Sequence, residues 1–213
     1  MEHIKGIRSS STSGRRTRAV ESFRNASECI GTIDPSMALF AITRGQFSMI
    51  DAVLHVLNQL GPSTLTLWTW AIAEYEIERF NALRDCGKVS HGTLMIDGSA
   101  RQRNADSMAT WRAKFGPDSV KLVSNHAKIA TVDNGTMRVL LRGSMNLNYN
   151  PRFEQLDVTE GGADFDLVRE IESELPVLPM DAAFSDLTQA SKTDVAFDAR
   201  TLDMFAGLKV WKK

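Results

Sequence analysis

Between Met37 and Phe115 the chain alternates strand-length apolar runs with segments of helical period, and this alternation leaves few folds open to it. Residues 37–42, Met-Ala-Leu-Phe-Ala-Ile, have the unbroken apolar character of a strand covered on both faces. Ser48 is placed to cap a helix running to Leu60, in which Ile50, Val53, Leu54, Leu57 and Leu60 recur at the three-to-four spacing of an apolar stripe. Gly61-Pro62 stops that helix. Residues 64–72 read as a second buried strand, 74–83 as a helix with Gly87 near its end, 92–96 as a third strand, and 105–115 as a helix ended by Gly116-Pro117. Each crossover has room for a helix, so parallel pairing is expected here.

After Asp118 the pattern changes. Residues 120–132 and 137–141 read as two strands of a hairpin joined by Asp133-Asn134-Gly135, because Asn-Gly supplies left-handed turn conformations that larger side chains resist. A further strand is expected over 153–158. A helix follows over 164–175, its apolar side formed by Phe165, Val168, Ile171 and Leu175, with Pro176 and Pro179 behind it. The expected fold class is α/β, a mixed central β-sheet flanked by helices.

Three regions are expected. Residues 1–30 read as a basic flexible N-terminal arm, since the Ser-rich stretch before Arg15 and Arg16 has no apolar period with which to offset its ordering cost. Residues 31–178 form the main domain. Residues 179–213 read as a C-terminal docking extension or tail that retains Phe184, Leu187, Phe197, Leu202, Phe205, Leu208, Val210 and Trp211. At 213 residues with 43% hydrophobic content, one sizeable core is the simplest arrangement.

Two cysteines, Cys29 and Cys86, are too few and too distant for a disulfide framework or a CxxC metal site, and both are expected as buried thiols. Nothing near Met1 resembles a signal peptide and no run is long enough to cross a bilayer. A soluble protein of the cytoplasm or another intracellular space is therefore expected, without integral membrane association. The net charge of -1 conceals a gradient: residues 1–24 carry six Lys or Arg against two Glu, whereas residues 155–213 carry twelve Asp or Glu against six Lys or Arg. A local basic surface for nucleic acid is compatible with that balance, as is an ordinary solvated surface.

The richest chemistry lies in Asn125-His126-Ala127-Lys128, Asp133, and Gly143-Ser144-Met145-Asn146. Two positions apart on a strand, His126 and Lys128 would leave by the same face. Ser144 and Asn146 share a parity at the end of the next strand, and Gly143 would admit a bound oxyanion close to the backbone. Attack at phosphorus needs such groups: a neutral imidazole as nucleophile, with an ammonium, an amide and a hydroxyl to stabilise phosphoryl oxygens. Glu154 is the carboxylate expected to hold the imidazole proton on the outer nitrogen. Asp133 is expected as a turn residue.

In order and type, His126, Lys128, Asp133, Gly143, Ser144 and Asn146 resemble the HKD signature of the phospholipase D-like superfamily. The resemblance spans roughly residues 37–175 and is strongest over 125–158. It implies a phospholipase D-like fold and metal-independent, cofactor-free phosphodiester hydrolysis through a phosphohistidine on His126. It also casts Glu154 as the carboxylate that orients this histidine. Nine residues separate Asp133 from Gly143, a longer interval than the usual signature has, which the hairpin's distal turn would have to absorb. Only one complete signature is present. Small single-motif bacterial nucleases resemble this chain and pair two copies, so a homodimer is implied in which one His126 attacks and the other protonates the leaving oxygen.

The substrate expected on this reading is DNA or RNA, with Arg15, Arg16, Arg18, Arg138, Arg142 and Arg152 as phosphate-holding candidates. A noncatalytic nucleic-acid-binding or assembly protein of the same fold is the alternative from another class. A phospholipase is a further alternative, although no membrane-inserting amphipathic segment is evident. His3, His55 and His91 lack metal-ligand spacing, and His55 is expected to be structural within its helix. Asp97-Gly98-Ser99 before Arg101 and Arg103 reads as a loop and solvated helix entry, with phosphate binding as the other reading.

Overall fold

The computed structural model of the chain describes residues 6–10, 17–20 and 24–179. Among the described residues, nine strands form one sheet: β1 (Gly6–Ser10), β2 (Thr17–Val20), β3 (Met37–Thr43), β4 (Ser63–Thr69), β5 (Val89–Asp97), β6 (Val120–Val123), β7 (Lys128–Asp133), β8 (Arg138–Gly143) and β9 (Glu154–Glu160). Their spatial order is β2-β1-β3-β9-β8-β7-β4-β5-β6. The helices are α1 (Ala26–Ile30), α2 (Met49–Leu60), α3 (Glu74–Asp85), α4 (Ala105–Phe115) and α5 (Ala163–Glu174). Parallel pairing is confined to β4–β5 and β5–β6, where helical crossovers supply the reach; all other neighbours are antiparallel. The fold is thus a mixed α/β sheet flanked by helices.

Period-two patterning decides which face is covered by what. In β4, Leu65 and Leu67 stand in register with Val132 and Ala130 of β7 on one face, and Thr64, Thr66 and Trp68 take the other. The leucine face joins the main core, into which α1 through α4 deliver residues including Ile30, Val53, Val56, Leu57, Phe80 and Trp111. Each of these fully buried side chains contributes roughly 1.5–3 kcal/mol. Ser48 opens α2 as expected, its backbone N–H donating to Asp51 at 2.9 Å.

Among the described helices α5 covers part of the opposite face, and its buried stripe differs from the expected one. Phe165 is buried, but Ile171 is 40% and Leu167 57% exposed, while Glu172 is buried at 5%. The face beneath explains the exchange, because it offers hydrogen-bonding groups. Trp68 Nε1 donates to Glu172 at 2.8 Å, Thr131 Oγ1 at 3.4 Å, and Arg169 pairs with it at 2.6 Å. A buried carboxylate so supplied costs less than an isolated one. Lys121 Nζ closes the helix end, donating to the carbonyls of Glu172 and Leu175 at 2.6 and 2.7 Å. Burial pulls the Lys121 amine below its ordinary pKa; the Glu172 charge opposes that shift and Arg169 adds to it.

Three further expectations change. The reading of residues 1–30 as a flexible arm does not hold for Gly6–Ser10 and Thr17–Val20, which pair as strands outside β3, nor for α1, whose Ala26, Cys29 and Ile30 are buried. Backbone pairing against an open sheet edge needs no apolar period, so the sequence carries little sign of it. Residues 120–132 are two strands rather than one, β6 and β7, broken at 124–127. Cys86 is exposed, whereas Cys29 is buried as expected. His55 plays the structural part foreseen, its Nε2 lying 2.7 Å from the Gly31 carbonyl oxygen. The expected extension over 179–213 lies outside the described residues except Pro179 at its border.

Candidate functional site

Strands β3, β4, β5, β6 and β8 run in one direction, which follows from the parallel pairs and from successive antiparallel steps through β7 and β9. Their C-terminal ends, together with the starts of β7 and β9, define one edge of the sheet. In sheets with parallel strands this edge is where loops gather polar groups around a ligand. His126, Lys128, Gly143, Ser144, Asn146 and Glu154 lie along it.

The break between β6 and β7 is built around Asn125. Its buried amide donates to the carbonyls of Thr69 and Ala127 at 3.2 and 3.3 Å and accepts from the Ala127 N–H at 2.8 Å, while its own backbone N–H donates to Asp97 at 2.7 Å. These bonds stitch the loop to the ends of β4 and β5 and leave the His126 ring exposed. His126 therefore precedes the strand instead of sharing a strand face with Lys128. Lys128 folds back onto it, with Nζ donating to the His126 carbonyl at 2.9 Å and standing 3.5 Å from Nδ1. The Asp97-Gly98-Ser99 turn is closed on itself, Asp97 accepting from the Ser99 N–H at 2.9 Å, as the loop reading anticipates.

Strand β8 returns in unbroken register, with Lys128 opposite Gly143 and Asp133 opposite Arg138. The long Asp133–Gly143 interval is thus taken up in the distal turn. There Asp133 accepts from the Gly135 N–H at 2.7 Å and Asn134 from the Thr136 and Met137 N–H groups, so Asp133 is the turn residue expected. Gly143 has a different cause from the one expected. A Cβ there would lie 2.0 Å from the Gln155 carbonyl oxygen, so the close approach is to β9.

Beyond Gly143 the chain leaves the sheet. The carbonyls of Asn146 and Leu147 accept from the first N–H groups of α2 at 3.2 and 3.4 Å, which fixes the Ser-x-Asn loop against a helix start. Ser144 is exposed; its hydroxyl donates to Glu154 and accepts from the Gln155 N–H at 2.9 Å. Glu154 also accepts from Asn150 at 2.9 Å. In the single chain Glu154 thus serves Ser144 and Asn150, and the expected carboxylate–imidazole contact with His126 is absent among the described residues.

Of the arginines proposed to hold phosphates, Arg138 and Arg142 are engaged by Asp166 and Asp164 in the first turn of α5, at 2.5 and 2.6 Å. These are partly exposed pairs, each worth about 0–1 kcal/mol. Arg152 is exposed in the loop before β9. Arg18 lies in β2, four strands from β8, roughly 19 Å at about 4.8 Å per strand step. Arg15 and Arg16 lie outside the described residues.

Sequence reasoning missed a set of arginine–aromatic pairs along the same edge. Arg44, just past β3, lies 4.7 Å from the centre of the Phe153 ring, just before β9. Arg103 lies 4.5 Å from Trp70, past β4, and Arg79 4.8 Å from Tyr75 in the first turn of α3. The partners in each pair come from separate loops or from one helical turn, and only the i, i+4 spacing of Tyr75 and Arg79 was visible beforehand.

No protein-family model matches the chain, and no curated protein matches it. Among solved structures it is similar to that of TrmBL2, an archaeal chromatin protein that shows a novel mode of DNA binding, at 15% sequence identity and a TM-score of 0.40. The match covers 63% of this chain and 51% of that one, so the chain spans about half of that protein's length. Among the described residues, no group of three His, Cys, Asp or Glu side chains is placed to hold a metal ion, and no helix is long and apolar enough to cross a membrane.

Proposed function

We propose that the protein is a phospholipase D-like phosphodiester hydrolase, a DNA or RNA nuclease that works as a homodimer. The observation that carries this reading is the unbroken β7–β8 register. It sets Lys128 opposite Gly143 and so brings His126, Lys128 and Ser144 to one sheet edge despite the long interval between the two halves of the motif. On this proposal His126 Nε2 attacks phosphorus, one P–O bond breaks, and the leaving oxygen takes a proton from the second copy's His126. Water then attacks the phosphohistidine, the P–N bond breaks, and that same second imidazole takes up the proton. Lys128 and Asn146 stabilise the phosphoryl oxygens, and Ser144 joins them by turning its hydroxyl away from Glu154. Glu154 takes its orienting role in the assembled dimer.

A noncatalytic nucleic-acid-binding protein of the same fold is favoured by one observation: Glu154 is already occupied by Ser144 and Asn150. One experiment separates the two. Hydrolysis of bis(p-nitrophenyl) phosphate and of labelled DNA and RNA is followed in EDTA, with the oligomeric state measured in parallel. Turnover by the wild-type dimer, abolished in a His126→Ala dimer, supports the nuclease. Nucleic-acid binding without turnover on any substrate, or turnover that His126→Ala leaves intact, refutes it.

A further inference from the structure

Five aromatic residues among the described residues are exposed: Phe40, Trp70, Tyr75, Tyr149 and Phe153. Four of them, all but Phe40, lie in the loops or the helix start at the edge that holds His126. Three of these four have an exposed arginine over the ring. Ordinary surfaces scatter exposed apolar residues singly, whereas aromatic and cationic side chains interleaved along one edge form a platform for bases with their phosphates alongside.

The order along the edge places the candidate chemistry inside the platform. Phe153 with Arg44 stands at β9 and β3. Ser144 and Lys128 follow at β8 and β7, and Trp70 with Arg103 stands at β4. From β9 to β4 is three strand steps, on the order of 14 Å at about 4.8 Å each, the scale of a few nucleotides. The Phe153 end is held firmly. Gly45, at φ +80°, lets the loop after β3 meet the loop before β9 so closely that a Cβ would lie 2.4 Å from the Asn150 carbonyl oxygen. Despite their guanidinium partners, Phe153 remains 67% and Trp70 41% exposed, which leaves ring surface for a base.

We infer that this edge binds single-stranded nucleic acid, with unpaired bases stacked on Phe153 and Trp70 on either side of the phosphate presented to His126 and Lys128. The inference rests on the nuclease reading for its phosphate and adds the substrate class. Within a duplex both faces of a base are covered by its neighbours, so these rings select unpaired strands. The guanidiniums of Arg44 and Arg103 neutralise the flanking phosphates. Stacking tolerates any base, so the preference is for strandedness and not for sequence.

The test uses the full chain carrying His126→Ala, so that binding is read without cleavage. A labelled single strand is compared with the same strand made abasic at the nucleotides flanking the central phosphate, and with a duplex. The Trp70→Leu and Phe153→Leu substitutions are added singly, with circular dichroism confirming the fold. Each ring substitution is expected to weaken single-strand binding roughly 5- to 150-fold, and this loss is expected to disappear on the abasic strand, since the partner of the ring is already gone. Duplex bound as tightly as single strand, or an abasic strand bound as tightly as the intact one, overturns the inference even where turnover confirms a nuclease. Ring-dependent single-strand binding in a protein that hydrolyses no phosphodiester leaves the stacking platform standing and removes the nuclease reading.

Discussion

Replacing Gly143 by alanine tests whether β9, rather than a ligand, demands a glycine at the end of the motif hairpin. Built on the observed backbone, the new Cβ would lie 2.0 Å from the Gln155 carbonyl oxygen, 2.9 Å from its carbonyl carbon and 3.2 Å from Leu156 Cα. All three atoms are backbone, so no side chain can rotate out of the way. Strands β8 and β9 must part at the Gly143–Leu156 pair. Overpacking of this kind costs about 1–3 kcal/mol. The separation also strains the Ser144 N–H bond to Gln155, at 3.1 Å, and the Gln155 N–H bond to Ser144, at 2.9 Å, each worth about 0.5–1.5 kcal/mol. The expected destabilisation is therefore about 2–6 kcal/mol, a large share of the roughly 5–15 kcal/mol typical of whole domains. Urea unfolding should show it as a lowered midpoint at unchanged slope. Gly135→Ala is the control. That site has φ +85° with no atom within 4 Å of a Cβ, so it carries only the left-handed backbone penalty of about 1–2 kcal/mol. Equal destabilisation by the two substitutions would refute the argument from β9.

Two further outcomes follow from the same geometry. Asn125→Ala removes the amide that binds the Thr69 and Ala127 carbonyls and the Ala127 N–H; a stability loss of about 1–3 kcal/mol is expected from the buried groups left unpaired, and on the nuclease proposal turnover should fall more steeply than affinity because His126 loses its fixed position. Cys86 should react with a thiol reagent in the folded protein while Cys29 stays protected, burial having pushed the Cys29 thiol from 9.0 up to about 12. The folded-state value lies above the unfolded one, so any stability linked to Cys29 is intact below pH 9.0 and is lost as pH rises towards about 12; labelling of Cys29 at the Cys86 rate at neutral pH would contradict this.

What was legible in advance divides along physical lines. Helix α4 falls on residues 105–115 as read, since Gly116 and Pro117 end it locally, and the Asp-Asn-Gly turn and β8 were marked by their own residues. Local chemistry declares itself in sequence. Strands β1 and β2 did not, because their bonds are backbone bonds to an open edge. The break between β6 and β7 was marked only by the polar Ser124-Asn125-His126; its cause is the long-range attachment of Asn125 to Asp97 and Thr69. For α5 the error had a direction. Periodicity assumes an apolar surface beneath, and here the Thr131 hydroxyl and the Trp68 N–H draw Glu172 inward in place of Ile171. The residues of the candidate site were found by type and spacing, but their hydrogen bonds, above all that of Ser144 to Glu154, depend on how β9 returns beside β8.

Those hydrogen bonds bear directly on why the proposed chemistry needs a second copy. For Nε2 of His126 to attack, the neutral ring must carry its proton on Nδ1 and hand it to an acceptor. In the single chain the Lys128 ammonium stands 3.5 Å from Nδ1. Having only protons to offer, it favours the opposite tautomer, with the proton on Nε2. Glu154 could accept the Nδ1 proton, yet it is turned to Ser144 and Asn150. With the proton on Nε2 that nitrogen has no lone pair for phosphorus, so one chain alone does not present its single site imidazole as a nucleophile. On the nuclease proposal, phosphoryl transfer needs one imidazole to attack and another to give a proton, and a two-fold axis at this edge would supply the second ring. The need for a second imidazole is thus the physical argument for the proposed dimer, independent of any apolar surface.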